Sequence, residues 1–296
     1  MLTAEWTHRI PLLQRTSPAD MASNLLVSAL DELDTRTDTH LSVVDFCSGG
    51  GGPTPTIEQL VNAKRKASAR PPIPFVLSDI HPHLDEWIKA CSHSANLSFV
   101  PQPVDATNPP PAVISQSSPP ATGRESPFHS DTRVFRLYCL AFHHFNDIMA
   151  RKVLRSTMET SDGFAIIELQ DRRLSSLILM MADFFLIFVV SLLWFWKDPL
   201  MLLLTYVIPI MPFIMSFDGA VSSLRTRTFQ EVLALMDHEE SGSTAKIGAV
   251  TVEMEDDGVA IEVARRGEWV FKSGRQMHTW PIGYMNWIVG YRKPER

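Results

Sequence analysis

Three groups of residues in this chain have types and spacings suited to chemistry: a glycine-rich run, a histidine pair and a set of carboxylates. The run, DFCSGGGGP, extends from Asp45 to Pro53. Glycine adopts positive φ and lets a backbone approach a ligand closely, and the first amides of a helix favour polar or anionic groups. His143 and His144 lie in LAFHHFND, residues 140–147. Imidazole titrates near neutral pH, so either histidine suits proton transfer. Adjacent residues leaving a strand point in different directions, so one of the two is expected to face a site. Asp79 and Asp105 each follow a short apolar run, and Glu168 and Asp171 close another. An acid at the end of a parallel strand is placed to accept hydrogen bonds from hydroxyl groups. The chain contains no GxSxG, HExxH or GxxxxGK[ST] pattern, so serine-nucleophile, zincin and P-loop chemistry find no support.

Several elements must position these residues. Residues 17–34 carry apolar side chains at helical spacing after Ser17, a suitable N-cap, and Pro18. Residues 41–46 (LSVVDF) form a strand that runs directly into the glycines, and a helix follows over 56–67. Further strands are expected at 75–77, 97–101, 134–140 and 164–169, with helices at 82–95 and 147–157 between them. This alternation predicts an α/β fold with a mainly parallel sheet. Residues 229–236 read as a short amphipathic helix, and 268–272 and 286–291 as two final strands. The Pro- and Ser-rich stretch 108–127 reads as an irregular surface loop.

Composition narrows the function classes. The chain has 296 residues, a net charge of −6 and 45% hydrophobic residues. That balance argues against a basic nucleic-acid binder and against a largely disordered chain. Cys47, Cys91 and Cys139 are too few and too scattered for a disulfide framework or a CxxC zinc site, and no metal site is expected. The first residues, MLTAEWTHR, carry no secretory signal pattern, and an intracellular setting is expected.

The order of these motifs resembles the class I S-adenosylmethionine-dependent methyltransferases. Their first motif is D/E-x-G-x-G-x-G, and Asp45, Cys47, Gly49 and Gly51 occupy its positions. Asp79 and Asp105 match the acids after the second and third strands. Residues 140–147 resemble the motif after the fourth strand in ubiquinone/menaquinone-type small-molecule members. The two final strands match the family's closing pair, whose last strand inserts antiparallel. The resemblance implies a Rossmann-like, seven-stranded, mainly parallel sheet and S-adenosyl-L-methionine as cofactor. It implies that Asp45 and the loop at Ser48, Gly49 and Gly51 hold the methionine part, Asp79 the ribose, and Ile80 and Asp105 the adenine. Phe142 and His143 would face the sulfonium end, with His143 or His144 as the base. Cys47 departs from the pattern at its first glycine, where a side chain is expected to crowd the methionine end. A non-methylating cyclase, isomerase or binding subunit on the same fold is the alternative. A nicotinamide oxidoreductase fits less well, because the glycines do not form GxGxxG: Thr54 stands in the last position counted from Gly49.

The remaining feature is an apolar segment. Residues 174–196 contain one charge, Asp183, and residues 199–217 contain none. At about 1.5 Å per residue both stretches reach roughly bilayer thickness. Strands of one sheet flank the segment, so the chain must return to the side it left. Arg172 and Arg173 before it, and Arg225 and Arg227 after it, suit a hairpin facing the cytoplasm. A membrane hairpin, a re-entrant loop and a buried lid over an apolar substrate all satisfy this, and each implies a small lipophilic acceptor. The expected organisation is a helical cap at 1–40, a cofactor-binding core at 41–173, an apolar hairpin and lid at 174–236, and sheet-completing strands at 237–296.

Overall fold

The computed structural model describes residues 2–34, 41–114, 133–237, 247–254 and 260–293. Two helices open the chain, α1 (Leu2–Thr7) and α2 (Pro18–Leu33). The Ser17 hydroxyl caps α2 by accepting the Asp20 amide at 3.2 Å. Strands and helices then alternate: β1 (Leu41–Phe46), α3 (Thr54–Ala67), β2 (Phe75–Ser78), α4 (Leu84–Cys91), β3 (Leu97–Phe99), α5 (Pro111–Ile114), β4 (Arg133–Cys139), α6 (Asp147–Thr160) and β5 (Gly163–Glu168). The apolar segment forms α7 (Leu174–Trp194), α8 (Pro199–Leu202), a π-helical turn (Leu203–Val207) and α9 (Ile210–Arg225). The chain ends with α10 (Phe229–Asp237), β6 (Thr251–Met254), β7 (Ala260–Arg266), β8 (Trp269–Thr279) and β9 (Gly283–Arg292). Most of the loop expected at 108–127 lies outside the described residues; α5 occupies part of its beginning.

The sheet order is β3-β2-β1-β4-β5-β9-β8-β7-β6. The first five strands run parallel, with Val43 opposite Phe75 on one side and Phe135 on the other. β9 enters antiparallel beside β5, pairing Ile166 with Ile288, and β8, β7 and β6 continue antiparallel. The sheet therefore has nine strands, not the expected seven. The addition is the β6–β7 pair, attached to the outer edge of β8.

Strand alternation divides the core between two faces. Val43, Phe75 and Leu77 pack with Leu26 and Leu30 of α2 and Ile57 and Val61 of α3. Val44, Phe46 and Val76 pack with Val153 of α6 and Val232 and Leu233 of α10. Helices cover both faces, so β1, β2 and β5 are buried along their whole length. This arrangement leaves the carboxyl ends of the parallel strands as the edge where loops gather. β1 lies there between β2 and β4, at the point where the strand order reverses, which is where open α/β sheets place their ligand crevice.

α9 packs back against α7. The return leg is not one straight helix: the pieces before and after Ile208 and Pro209 are bent by 78°. Proline accounts for the break, since Pro209 caps α9 without donating an amide, and Pro212 fits its first turn.

Candidate functional site

The glycine-rich turn leaves β1 with Cys47 at φ 64°, Gly49 at 52°, Gly51 at 100° and Gly52 at 49°. Such left-handed geometry explains the glycines and is strained at Cys47. Contrary to expectation, the Cys47 side chain packs against the core cluster of Val44, Phe46 and Tyr138. Burial pushes its thiol up to about 12, helped by Asp79, Asp45 and Asp105. It is therefore an uncharged thiol at neutral pH, without nucleophilic character. That influence also shows that the three aspartates from three different strand ends converge on one loop.

Their local roles differ. Asp45 is buried and accepts the Thr54 hydroxyl at 2.6 Å, which ties β1 to the start of α3. Burial pushes its carboxyl up to about 8. Asp79 is half-buried; Oδ2 accepts the Gly49 amide and Oδ1 the His81 amide, each at 2.8 Å. Asp105 is exposed and accepts the Thr107 amide at 2.8 Å. The Ser48 amide and hydroxyl both donate to the Ser78 carbonyl, at 3.1 Å each, which fastens the loop to β2. The Gly51 amide closes the turn onto the Ser48 carbonyl at 2.8 Å. Ile80, 50% exposed, stands at the rim beside Asp79. A Cβ built on Gly49 meets nothing within 4 Å, so the outer side of the loop is open.

A residue not singled out from the sequence holds this loop. Trp87 of α4 is fully buried, and its indole donates to the Gly49 carbonyl at 2.8 Å. Together with Asp79 it grips both polar groups of the Gly49 backbone. An aromatic residue on an amphipathic helix carries no sequence signal beyond core packing.

The histidine pair sits on a 3₁₀ turn (Phe142–His144) after β4. The structure separates the two. His143 is 4% exposed, with Nδ1 2.9 Å from Oε2 of the equally buried Glu168. The His143 amide donates to Oε1 of the same carboxylate at 3.3 Å, and Gln170 Nε2 donates to Oε2 at 3.2 Å. The carboxylate is acceptor-only, so Nδ1 carries the proton and Nε2 is left as the basic nitrogen. Glu168 thus orients His143; from the sequence it reads only as a secondary substrate-binding candidate. His144 reaches solvent, with its ring 4.2 Å from that of His143. Partial desolvation lowers its pKa, and the neighbouring His143 adds to this. Phe142, expected to face the sulfonium end, is 2% exposed and lies edge-on to Tyr138 at 6.2 Å and Phe145 at 5.9 Å.

Arg225 and Arg227 anchor this turn from the far side of the apolar segment. Arg225 donates to the His144 carbonyl at 3.1 Å. Arg227 donates to the carbonyls of Phe142 at 3.3 Å and Phe145 at 2.7 Å, and pairs with Asp147 at 2.9 Å. The sequence presented them as charged flanks of a hairpin; the structure uses them to fix the histidines.

A cavity of about 140 Å³ adjoins the pair. Leu140, His143 and His144 form one wall, Leu179, Met180 and Leu186 of α7 another, and Met215 and Asp218 of α9 a third. Residues of α1 and the segment after it, including Glu5, Trp6 and Gln14, close the top. A Cβ on Gly219 would lie 2.5 Å from the Met180 sulfur, so Met180 of α7 packs directly over this glycine of α9. His278 also lines the cavity and is already committed. Its Nε2 lies 3.3 Å from the Leu169 carbonyl, which can only accept, so Nε2 is the protonated nitrogen. Its Nδ1 then accepts the Thr279 hydroxyl at 2.8 Å, and that hydroxyl accepts Gln14 Nε2 at 2.8 Å. Burial lowers the His278 pKa to about 4, so it is neutral and has no free nitrogen for proton transfer.

Among the described residues no group of three or more His, Cys, Asp or Glu side chains could hold a metal ion. No protein-family model matches the chain, and no curated protein is similar to it at a significant level. Solved structures with a similar arrangement include the plantazolicin methyltransferase BpumL in complex with SAH, at 9% identity and TM-score 0.46, covering 93% of this chain and 85% of that one. Magnesium protoporphyrin IX methyltransferase (ChlM) from Synechocystis PCC 6803 with bound SAH is 9% identical, with TM-score 0.38, covering 92% and 83%. Human N-acetylserotonin methyltransferase in complex with SAM is 11% identical, with TM-score 0.37, covering 93% and 56%.

Proposed function

We propose that this protein is an S-adenosyl-L-methionine-dependent methyltransferase acting on a small lipophilic acceptor at a membrane surface. The observation that carries the reading is β9, which runs antiparallel between β5 and β8 beside a parallel β3-β2-β1-β4-β5 half. A dinucleotide-binding Rossmann sheet continues in parallel at that position, so the topology favours the methyltransferase arrangement over a nicotinamide enzyme.

The residues at the strand ends suit the cofactor. The open side of Gly49 leaves room for close approach, the Asp79 carboxylate has remaining lone pairs for ribose hydroxyls, and exposed Ile80 offers an apolar flank for a base. When bound, the cofactor supplies an electrophilic methyl group, so the protein's main task is to align an acceptor with it. His143, held by Glu168, accepts the acceptor's proton on Nε2 where the acceptor must lose one. The apolar walls of the adjoining cavity position the acceptor and exclude water.

Calorimetry on the detergent-purified protein tests the cofactor. S-adenosylmethionine is expected to bind saturably and NADH not at all. Asp79→Ala is expected to weaken binding at least tenfold while the thermal unfolding transition persists. Unchanged affinity in the folded variant would remove the ribose assignment, and NADH binding in place of S-adenosylmethionine would sink the proposal.

The membrane part of the reading rests on the apolar pattern of α7 and α9. Ile178, Met181, Phe185 and Leu192 of α7 and Phe213 and Phe217 of α9 are all more than half exposed. Ser176, Ser191, Ser216 and Ser222 are buried. Polar side chains inside and large apolar ones outside reverse the usual order of a water-soluble protein and suit lipid contact. This exposure does not fit a buried lid. α7, at about 1.5 Å per residue, is about 31 Å long, and it is long and apolar enough to cross a bilayer. Both ends of the segment are tied to the sheet side, through Arg172 with Glu231 at 2.8 Å and through Arg227. A hairpin that enters and leaves by the cytoplasmic face satisfies both facts. Replacing Phe185 and Leu192 together with aspartate is expected to move the protein from the vesicle-bound to the soluble fraction in a flotation assay. Retention on the vesicles at physiological salt would count against this surface.

A further inference from the structure

The cavity beside His143 has a charge pattern that the methyltransferase reading does not by itself require. Glu5, Asp183 and Asp218 all line it, and among the described residues no lysine or arginine does. Glu5 comes from α1 and Asp183 from the middle of α7, and both line the same cavity; the His8 and Trp194 rings, 5.2 Å apart, mark one contact between the two segments. An acid in the centre of a long apolar helix is costly and faces a protein interior or a partner. Here it faces the cavity and a second acid. Neither Glu5 nor Asp183 forms a hydrogen bond or ion pair with another described residue.

An independent observation indicates that the cavity is completed by a ligand. Trp6 lines it, is 1% exposed, and its Nε1 has no acceptor among the described residues. A buried donor without an acceptor is unfavourable, and an oxygen on a ligand would satisfy it. The indole face is also a good neighbour for a cation. The rest of the wall is largely aliphatic, with Leu140, Leu169, Leu179, Met180, Leu186 and Met215.

We propose that the cavity takes a lipophilic amine, with its ammonium group held between Glu5 and Asp183, a nearby oxygen accepting from Trp6 Nε1, and its hydrocarbon body along α7 and α9. This deepens the reading of the cavity as the acceptor site and rests on it. The ammonium would pair with the two carboxyls, which have no side-chain partner among the described residues. Burial and then the charge of Asp183 push the Glu5 carboxyl up to about 8, against the pull of the N-terminal ammonium.

The test compares three probes of matched body on the full-length protein in detergent: 1-amino-2-hexanol, 1,2-hexanediol and 3-hydroxyheptanoate. Each keeps a hydroxyl for Trp6, and they differ only in the charge of the terminal group. By calorimetry at pH 7 the amine is expected to bind at least tenfold more tightly than the diol, and the carboxylate most weakly. In a Glu5→Gln, Asp183→Asn double variant the preference for the amine should fall below threefold while diol binding stays the same. Glu5→Gln alone, on the short α1, gives the same direction of change if the double variant fails to fold. Equal binding of all three probes, no binding of any, or a preference that survives both variants would overturn the proposal. S-adenosylmethionine binding, titrated separately, distinguishes this failure from failure of the methyltransferase reading. Cofactor binding without amine preference removes only the present inference, and amine preference without cofactor binding removes only the former.

Discussion

His143→Ala is expected to lower the rate of methyl transfer by about 10²- to 10⁴-fold, the usual range for a positioned general base, while His144→Ala stays within about tenfold. The asymmetry follows from the surroundings of two adjacent residues. His143 is buried and receives its orientation and tautomer from Glu168, 2.9 Å from Nδ1. Gln170, bonded to the same carboxylate oxygen, holds the acid in turn. His144 has no such partner, reaches solvent and has a lowered pKa through desolvation and the ring beside it. The loss in His143→Ala should fall on kcat, with cofactor affinity by calorimetry unchanged, because the ring is not part of the loop that holds the cofactor. Glu168→Gln should show a loss in the same parameter, since an amide keeps an acceptor for Nδ1 but removes the negative charge that supports a protonated imidazole. Small and equal losses from the two histidine variants would make both of them structural and would place the chemistry on an acceptor that needs no base.

What could be read from the sequence and what could not divide along contact range. β1, largely apolar apart from Ser42 and Asp45, and α3, opened by Pro53 and Pro55, carry local signals; β1 forms where expected and α3 starts two residues earlier, at Thr54. The β6–β7 pair carries little signal because β6 is only four residues long and exposed along its whole length. Such an edge strand is defined by its neighbour, not by its own pattern. The same holds within the site. Both His143 and Glu168 stand out as titratable groups, but their pairing depends on β4 and β5 being adjacent, with Cys139 opposite Ile167. Trp87 reaches a glycine 38 residues away, and Arg227 a carbonyl 82 residues away. On the sequence these two read as core packing and as a hairpin flank. The cavity's closure by α1 depends on still longer contacts, such as Gln14 with Thr279 and the Trp280 amide with the Leu13 carbonyl at 2.7 Å. Chemistry-bearing residues were therefore visible one by one, and their grouping was visible only in the fold.

Asp45→Asn is expected to make the protein more stable and a poorer cofactor binder. Asp45 is 2% exposed, and burial first, then the charge of Asp79, pushes its carboxyl from 3.8 up to about 8, with the Thr54 hydroxyl pulling the other way. A folded-state pKa above the unfolded one means that the folded protein holds the proton more tightly. The group's contribution to stability is then fully present below pH 3.8 and is lost as pH rises towards and through 8. Asparagine keeps an oxygen for Thr54 and has no proton to lose. The Tm difference between variant and parent should therefore be small at pH 4, widen steadily to pH 8 and level off beyond, at about 2–4 °C for each kcal/mol of difference. The same burial keeps the carboxyl ready for a cationic ligand: a positive group brought to the loop restores the ionised form, so cofactor binding should release a proton and its heat should depend on the buffer's ionisation enthalpy. Charge-assisted hydrogen bonds contribute about 1.5–3 kcal/mol, so the variant is expected to bind S-adenosylmethionine about 10- to 100-fold more weakly, with no buffer dependence from this group. A variant that is less stable at every pH would show that Asp45 acts through packing alone. One that binds the cofactor with unchanged affinity would detach Asp45 from the site, leaving the Gly49 loop and Asp79 to hold the ligand without it.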